Sequence, residues 1–191
     1  MPNWSFNRMT VISHDESDKA EVKRLREFIR RVDKDKDGKE FETPFSFQNV
    51  IPMPAELKDT VSPTSNPNSK EAKALRAKYG FDNWYDWRWE HWGTKWDACD
   101  VAYGLDDDPG NLYVEFNTAW SFPTPIAVEL SKRFPTLTFT YDATEESGLY
   151  DMVVEFRNGQ VVYYAEWECD DPDDPDSERR EIPRLPEEFW K

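Results

Sequence analysis

The stretch 149–168 alternates apolar and polar residues on both sides of Asn158-Gly159, and that pattern admits little besides a β-hairpin. Asn-Gly supplies the positive φ angles of a two-residue turn, whose twist matches the flanking strands. Counting back from it sets Phe156 opposite Val161, Val154 opposite Tyr163, Met152 opposite Ala165 and Tyr150 opposite Trp167. Every member of that face is apolar. The other face carries Asp151, Glu155, Arg157, Gln160, Glu166 and Glu168. A one-residue slip would turn the apolar set toward water, so the register is well specified. The chain is thus expected to contain an antiparallel sheet with one buried face and one wet, acidic face.

The remaining elements follow from periodicity. Residues 3–13 read as a first strand through Trp4, Phe6, Met9 and Val11. Acids at 15, 16 and 18 open a helix over about 18–32, with Val22, Leu25, Phe28, Ile29 and Val32 at helical spacing. Residues 33–44 read as a charged loop and 44–51 as a short strand. A Pro/Ser/Asn-rich connection, expected to be long and exposed, leads to a helix over 70–79 that Gly80 ends. Strand 112–120, helix 123–134 and strand 137–141 precede the hairpin. The run 170–178 is too charged and Pro-rich to form structure by itself, and apolar Phe189 and Trp190 in the tail are expected to dock back. This order predicts one α+β domain over 1–191, an antiparallel sheet with helices packed on one face. Its core is ferredoxin-like, with residues 52–96 as loop and aromatic helical insertion, 97–169 as the acidic ferredoxin-like half, and 170–191 as acidic linker and tail.

Charge is concentrated by position. Residues 1–96 hold 16 acids and 17 bases, whereas 97–178 hold 20 acids and 3 bases, a net −17 in a chain of net −15. Such a surface is either a solubilising, solvated face or one meant for a basic partner protein, and because it repels phosphates direct nucleic-acid binding through it is disfavoured. The acids assigned to that surface are Asp106, Asp107 and Asp108, then Asp142, Glu145, Glu146, Asp151, Glu155, Glu166 and Glu168, then Asp170, Asp171, Asp173 and Asp174. Alternate residues on a strand lie about 6.6–6.8 Å apart, close to the phosphate spacing of one DNA strand. A row of carboxylates could therefore occupy a basic nucleic-acid groove, and the leading expectation is a non-catalytic protein that binds and inhibits such a partner.

The stretch 81–96 holds five Trp between 84 and 96. As a helix it is aromatic on two sides, so it either buries both or exposes one. In the second case Trp84 and Trp87, with Arg88, His91 and Lys95 nearby, would hold a planar ligand or nucleotide. In the first it is a core helix, the more common use of such residues. Three acids at 33, 35 and 37 with Gly38 resemble the opening of a calcium loop, but the twelfth position is Pro44 rather than a bidentate Glu, and a charged turn is the better reading. Gly93-Thr94-Lys95 lacks the spaced glycines of a phosphate loop. With two histidines and no nucleophile motif, neither catalysis nor a metal or other cofactor is expected. Two cysteines without framework spacing, no apolar run long enough to span a bilayer and no secretion signal lead us to expect a cytoplasmic setting.

The segments MPNW (1–4), VIPMP (50–54), NWYDWR (83–88), WGTKWDA (92–98) and TAWSFPTPI (118–126) together resemble the YubB-like proteins of phages and plasmids. The resemblance implies a mobile-element origin, a ferredoxin-like fold and a cytoplasmic home. It also implies a cysteine at position 5, where this chain has Ser5. It supplies no catalytic residues. In a phage or plasmid setting, the basic partner would be a host protein such as a defence factor.

Overall fold

Strand β1 (Trp4–Val11) runs through the interior of a seven-stranded sheet and receives a neighbour on each side. A computed structural model describes residues 3–104, 108, 110–169 and 179–190, with backbone only for 168, 169 and 179. β1 pairs antiparallel with β5 (Leu112–Ala119) and β6 (Phe139–Glu145). β4 (Cys99–Tyr103) lies outside β5, while β7 (Asp151–Arg157), β8 (Gln160–Cys169) and β9 (Arg179–Arg184) extend the sheet beyond β6, every pair antiparallel.

Two helices close this sheet. α1 (Glu16–Ile29) lies on the path from β1 to β4, with β5 between those strands. α5 (Thr124–Arg133) leads from β5 to β6, with β1 between. Two such split crossovers make a ferredoxin-like core in the order β4-β5-β1-β6. Val22, Leu25 and Ile29 of α1 and Ile126, Ala127 and Leu130 of α5 join Met9, Val11, Val114, Phe116, Tyr141, Val154 and Phe156 in one buried cluster. The helices thus cover one face and leave the other open. The core takes its central strand and first helix from residues 4–29, well ahead of the 97–169 span in which the strand pattern is plainest.

Local chemistry explains the boundaries. Asp15 accepts the Asp18 N–H at 2.9 Å and starts α1. α1 ends at Ile29, not near 32, because Arg31–Lys34 (β2) pairs with Glu40–Thr43 (β3). The expected charged loop is therefore a hairpin, and Val32, expected on the buried helix face, is exposed. The expected strand at 44–51 is instead one helical turn, α2 (Phe47–Val50). Asp97 makes it so: its carboxylate accepts the Phe47 N–H at 2.6 Å and the Ser46 hydroxyl at 2.7 Å from fifty residues away. In the Pro-rich connection Met53 and Leu57 are buried, anchoring a segment expected to be exposed. α3 (Lys70–Tyr79) is capped by Ser69 and α4 (Trp84–Trp92) by Asn83, and Gly80 and Gly93 end them at φ of +80° and +73°.

Two phases differ from expectation. In β1 the inward residues are Ser5, Asn7, Met9 and Val11, so Phe6 faces outward. In the β7–β8 hairpin Phe156 does pair with Val161, but a bulge follows, and Val154 faces Tyr164 rather than Tyr163. Met152 faces Glu166 and Val153 faces Ala165. The extra residue leaves Val162 without a partner on β7, brings Tyr163 opposite Glu155 on the open face and turns Tyr164 and Glu166 to the covered face. That face is capped by the tail, where Phe189 meets Phe122, Phe156 and Tyr164 at ring separations of 6.3, 5.6 and 5.3 Å. No helix among the described residues is long and apolar enough to cross a membrane.

Candidate functional site

The open face of the sheet is a grid set by register. Across its middle, Glu115 of β5 faces Arg8 of β1, which faces Asp142 of β6, which faces Val153 of β7. Toward one edge Asn117, Phe6, Thr144 and Asp151 form a second row, and Tyr113, Thr10, Thr140 and Glu155 a third. Arg8 binds Glu115 at 2.8 Å. Thr144 and Thr140 donate their hydroxyls to Asp151 at 2.9 Å and Glu155 at 3.1 Å. A shallow trough of about 530 Å3 runs over Phe6, Arg8, Asn117 and Asp142. Asp100 borders it, accepting from the Asn117 amide at 3.1 Å.

Of the acids assigned to an interaction surface, Asp142, Asp151 and Glu155 lie on this open face. Glu146 is exposed in the turn beyond β6, and Asp108 accepts the Gly110 N–H at 2.8 Å in the β4–β5 connection. Glu145 and Glu166 are elsewhere. Glu145 is buried, and the bulge places Glu166 on the covered face, where Arg184 binds it at 2.9 Å and the Tyr164 hydroxyl at 2.7 Å. Asp106, Asp107, Asp170, Asp171, Asp173 and Asp174 lie outside the described residues, as does the side chain of Glu168. Sequence reading missed Asp100, Glu115, Phe6 and Arg8 as members of the open face. The alternation Tyr113, Glu115, Asn117 was the available signal.

Among the described residues of the open face the expected row of carboxylates at alternate positions does not form. Val153 stands between Asp151 and Glu155, so these two are four residues apart, about 13 Å along the strand. The next acid, Asp142, is one strand over. The face is a dispersed acidic lattice with aromatic members rather than a copy of successive phosphates.

Glu145 has a structural task. Its carboxylate accepts the Ser147 hydroxyl at 2.5 Å, the Ser147 N–H at 2.9 Å and the Leu149 N–H at 3.2 Å, closing the turn from β6 to β7. The Ser147 hydroxyl foremost, against the opposing effect of burial and with help from backbone N–H groups, holds its carboxyl below the usual carboxylate range. A depressed folded-state value contributes stability that is present above the unfolded value and lost as pH falls through the folded one. Glu145→Gln is therefore expected to be less stable than wild type at pH 7, with the gap narrowing as pH falls below the ordinary carboxylate range. Urea unfolding from pH 7 down through that range checks it, and a gap constant with pH would contradict it.

The aromatic segment is mostly core. Trp87 and Trp92 are buried, and the Trp92 indole N–H donates to the Ile51 carbonyl at 2.9 Å. His91 lies flat on Trp87 at 4.2 Å and its Nδ1 is 2.9 Å from the Trp87 carbonyl. Arg88 lies between the rings of Trp84 and Trp92. Of the five residues considered for a ligand, only Trp84 and Lys95 line the neighbouring cavity, where Tyr85 and Trp120 join them. Trp120, 25 residues beyond Lys95, had no local signal. Asp33 pairs with Arg31, and Asp35 accepts the N–H groups of Asp37 and Lys39 at 2.9 Å, so these acids hold the β2–β3 turn.

No curated protein matches the chain. Among solved structures it is similar to a protein api92 from Yersinia pseudotuberculosis, at 10% identity over 88% of this chain and 99% of that one, with a TM-score of 0.48. Residues 91–182, from the end of α4 into β9, match the family model described as the ferredoxin-like domain in Api92-like protein.

Proposed function

We propose that this chain is a non-catalytic binding protein that occupies a basic surface of a partner protein through the open face of its sheet. The observation that carries the reading is the charge of that face. Asp100, Glu115, Asp142, Asp151 and Glu155 stand there against Arg8 and Arg157 among the described residues. Helices shield the opposite face, so the acidic one is the side of the sheet presented to solvent. Phe6, 49% exposed, offers an apolar anchor among the acids. Apolar contact of that kind with a charged surround is how interfaces combine affinity with orientation. The partner class with a strong basic surface is one that binds nucleic acid, and a phage or plasmid setting would present it as a host defence factor.

The test is charge reversal at exposed or half-exposed positions. Asp142→Lys, Asp151→Lys and Glu155→Lys together are expected to abolish capture of the wild-type protein's partner from bacterial lysate, while the fold stays within about 0.5 kcal/mol per site. Capture by the wild type is expected to weaken between low and high salt, as screening shortens the reach of the face. Equal capture of the same partner by the reversed protein would sink the proposal.

A further inference from the structure

Lys95 is held in place without a carboxylate. Its Nζ lies 4.9 Å from the centre of the Trp96 ring and 5.2 Å from that of Trp120, and no ion pair reaches it among the described residues. A lysine fixed between two indole faces has given up part of its freedom and hydration, so it is prepared for an anion in a way that a solvated surface lysine is not. Lys95 borders a cavity of about 700 Å3, within the range of small-molecule sites. Trp84, Tyr85 and Trp120 supply aromatic walls, and the 62–64 loop closes a side.

The other charges of the cavity are engaged. Arg76 is bound to Asp82, which also accepts from Thr64, and Asp86 accepts the Asn83 amide at 2.7 Å. Among the described residues Lys95 is thus the cation left over, while Asp86, bound to a neutral amide, keeps its charge and opposes a ligand carrying more than one negative charge. A second observation falls on the same wall. Trp120 adopts φ +71°, the left-handed region that a bulky residue occupies only at a cost, and its N–H donates to the Asn3 carbonyl at 2.9 Å. Such strain gathers at ligand sites, where the surrounding structure holds a residue in an unfavoured pose.

We propose that this cavity binds a planar aromatic monoanion, its ring against Trp120 and Trp84 and its negative group on Lys95. The site shares no residue with the acidic sheet face, so its failure and that of the partner-binding reading are separate. The probes are 2-naphthoate, its neutral counterpart naphthalene-2-carboxamide, and acetate. Saturation-transfer NMR and calorimetry on the full chain at pH 7 are expected to show saturable binding of 2-naphthoate, none of acetate, and binding of the carboxamide weaker by about tenfold, the worth of one hydrogen bond to a charged group. Lys95→Gln is expected to remove that preference, weakening 2-naphthoate about tenfold and leaving the carboxamide unchanged. Trp120→Leu is expected to weaken both. Among the described residues Lys95 makes no ion pair, so Lys95→Gln forfeits only its two cation–π contacts, about 0.5–1 kcal/mol each; it is expected to fold, and the test stands even where Trp120→Leu fails to fold. Equal affinity for carboxylate and carboxamide, no binding of either, or an unchanged preference in Lys95→Gln would each overturn the proposal.

Discussion

Trp92→Ala is expected to cost about 3–5 kcal/mol of folding stability, the range for removing a large buried aromatic. The side chain is 1% exposed and sits where the insertion meets the core. Its ring meets Phe47 and Trp87 edge-on, both at 5.9 Å, and the Arg88 guanidinium lies 4.8 Å from its centre. Alanine would leave a void, unpair the Ile51 carbonyl and take from Arg88 one of its two aromatic faces. That last loss matters because burial already disfavours the Arg88 charge. Trp92→Phe keeps most of the packing and loses the indole N–H, so it is expected to cost about 1–2 kcal/mol. Urea unfolding followed by circular dichroism measures both. A loss below about 1 kcal/mol for the alanine variant would show that α4 is not integral to the core.

The difference between Trp92 and its neighbours shows how far the sequence could be read. A helix within the aromatic segment 81–96 was legible, although its start at the Asn83 cap and its end at Gly93 come from the structure. Which of its aromatics go inside was not legible. Trp rings on both sides of a nine-residue helix give no preferred face, and the answer depends on where Phe47 and Ile51 come to rest. Those residues belong to a turn that Asp97 induces from a distance. The open face was legible only as charge. Strand alternation gave Asp151 and Glu155 correctly, since they precede the bulge. It put Glu166 on the wrong face, since the bulge lies between it and the Asn158-Gly159 turn. Glu145 looked like any other acid of an acidic segment, and only the turn folding back over it gives it three donors. The cavity beside Lys95 was half legible. Trp84 and Lys95 were visible in the aromatic segment, but Trp120 arrives from the end of β5.

Asn7→Ala is expected to cost about 2–4 kcal/mol, more than an exposed aromatic on the same strand. A pattern that pairs Trp4 with Phe6 would place Phe6 inside and Asn7 in water. The structure has the opposite phase, with Asn7 only 4% exposed. Its amide nitrogen is within reach of the Ser5 carbonyl at 2.9 Å, the Thr118 hydroxyl at 3.0 Å and the Phe116 carbonyl at 3.3 Å, and its oxygen accepts the Ser5 hydroxyl at 3.0 Å. Ser5 and Thr118 are fully buried, so water cannot replace what is removed. Each buried group left unpaired costs about 1–3 kcal/mol, and alanine at position 7 strands more than one. Phe6 faces Asn117 and Thr144 on the open side, and Phe6→Ser is expected to stay within about 0.5 kcal/mol. Denaturant unfolding of the two variants side by side decides the phase of the strand. If Phe6→Ser proved the more damaging, β1 would have to run with its other face inward, and the acidic lattice built on Arg8 would be lost with it.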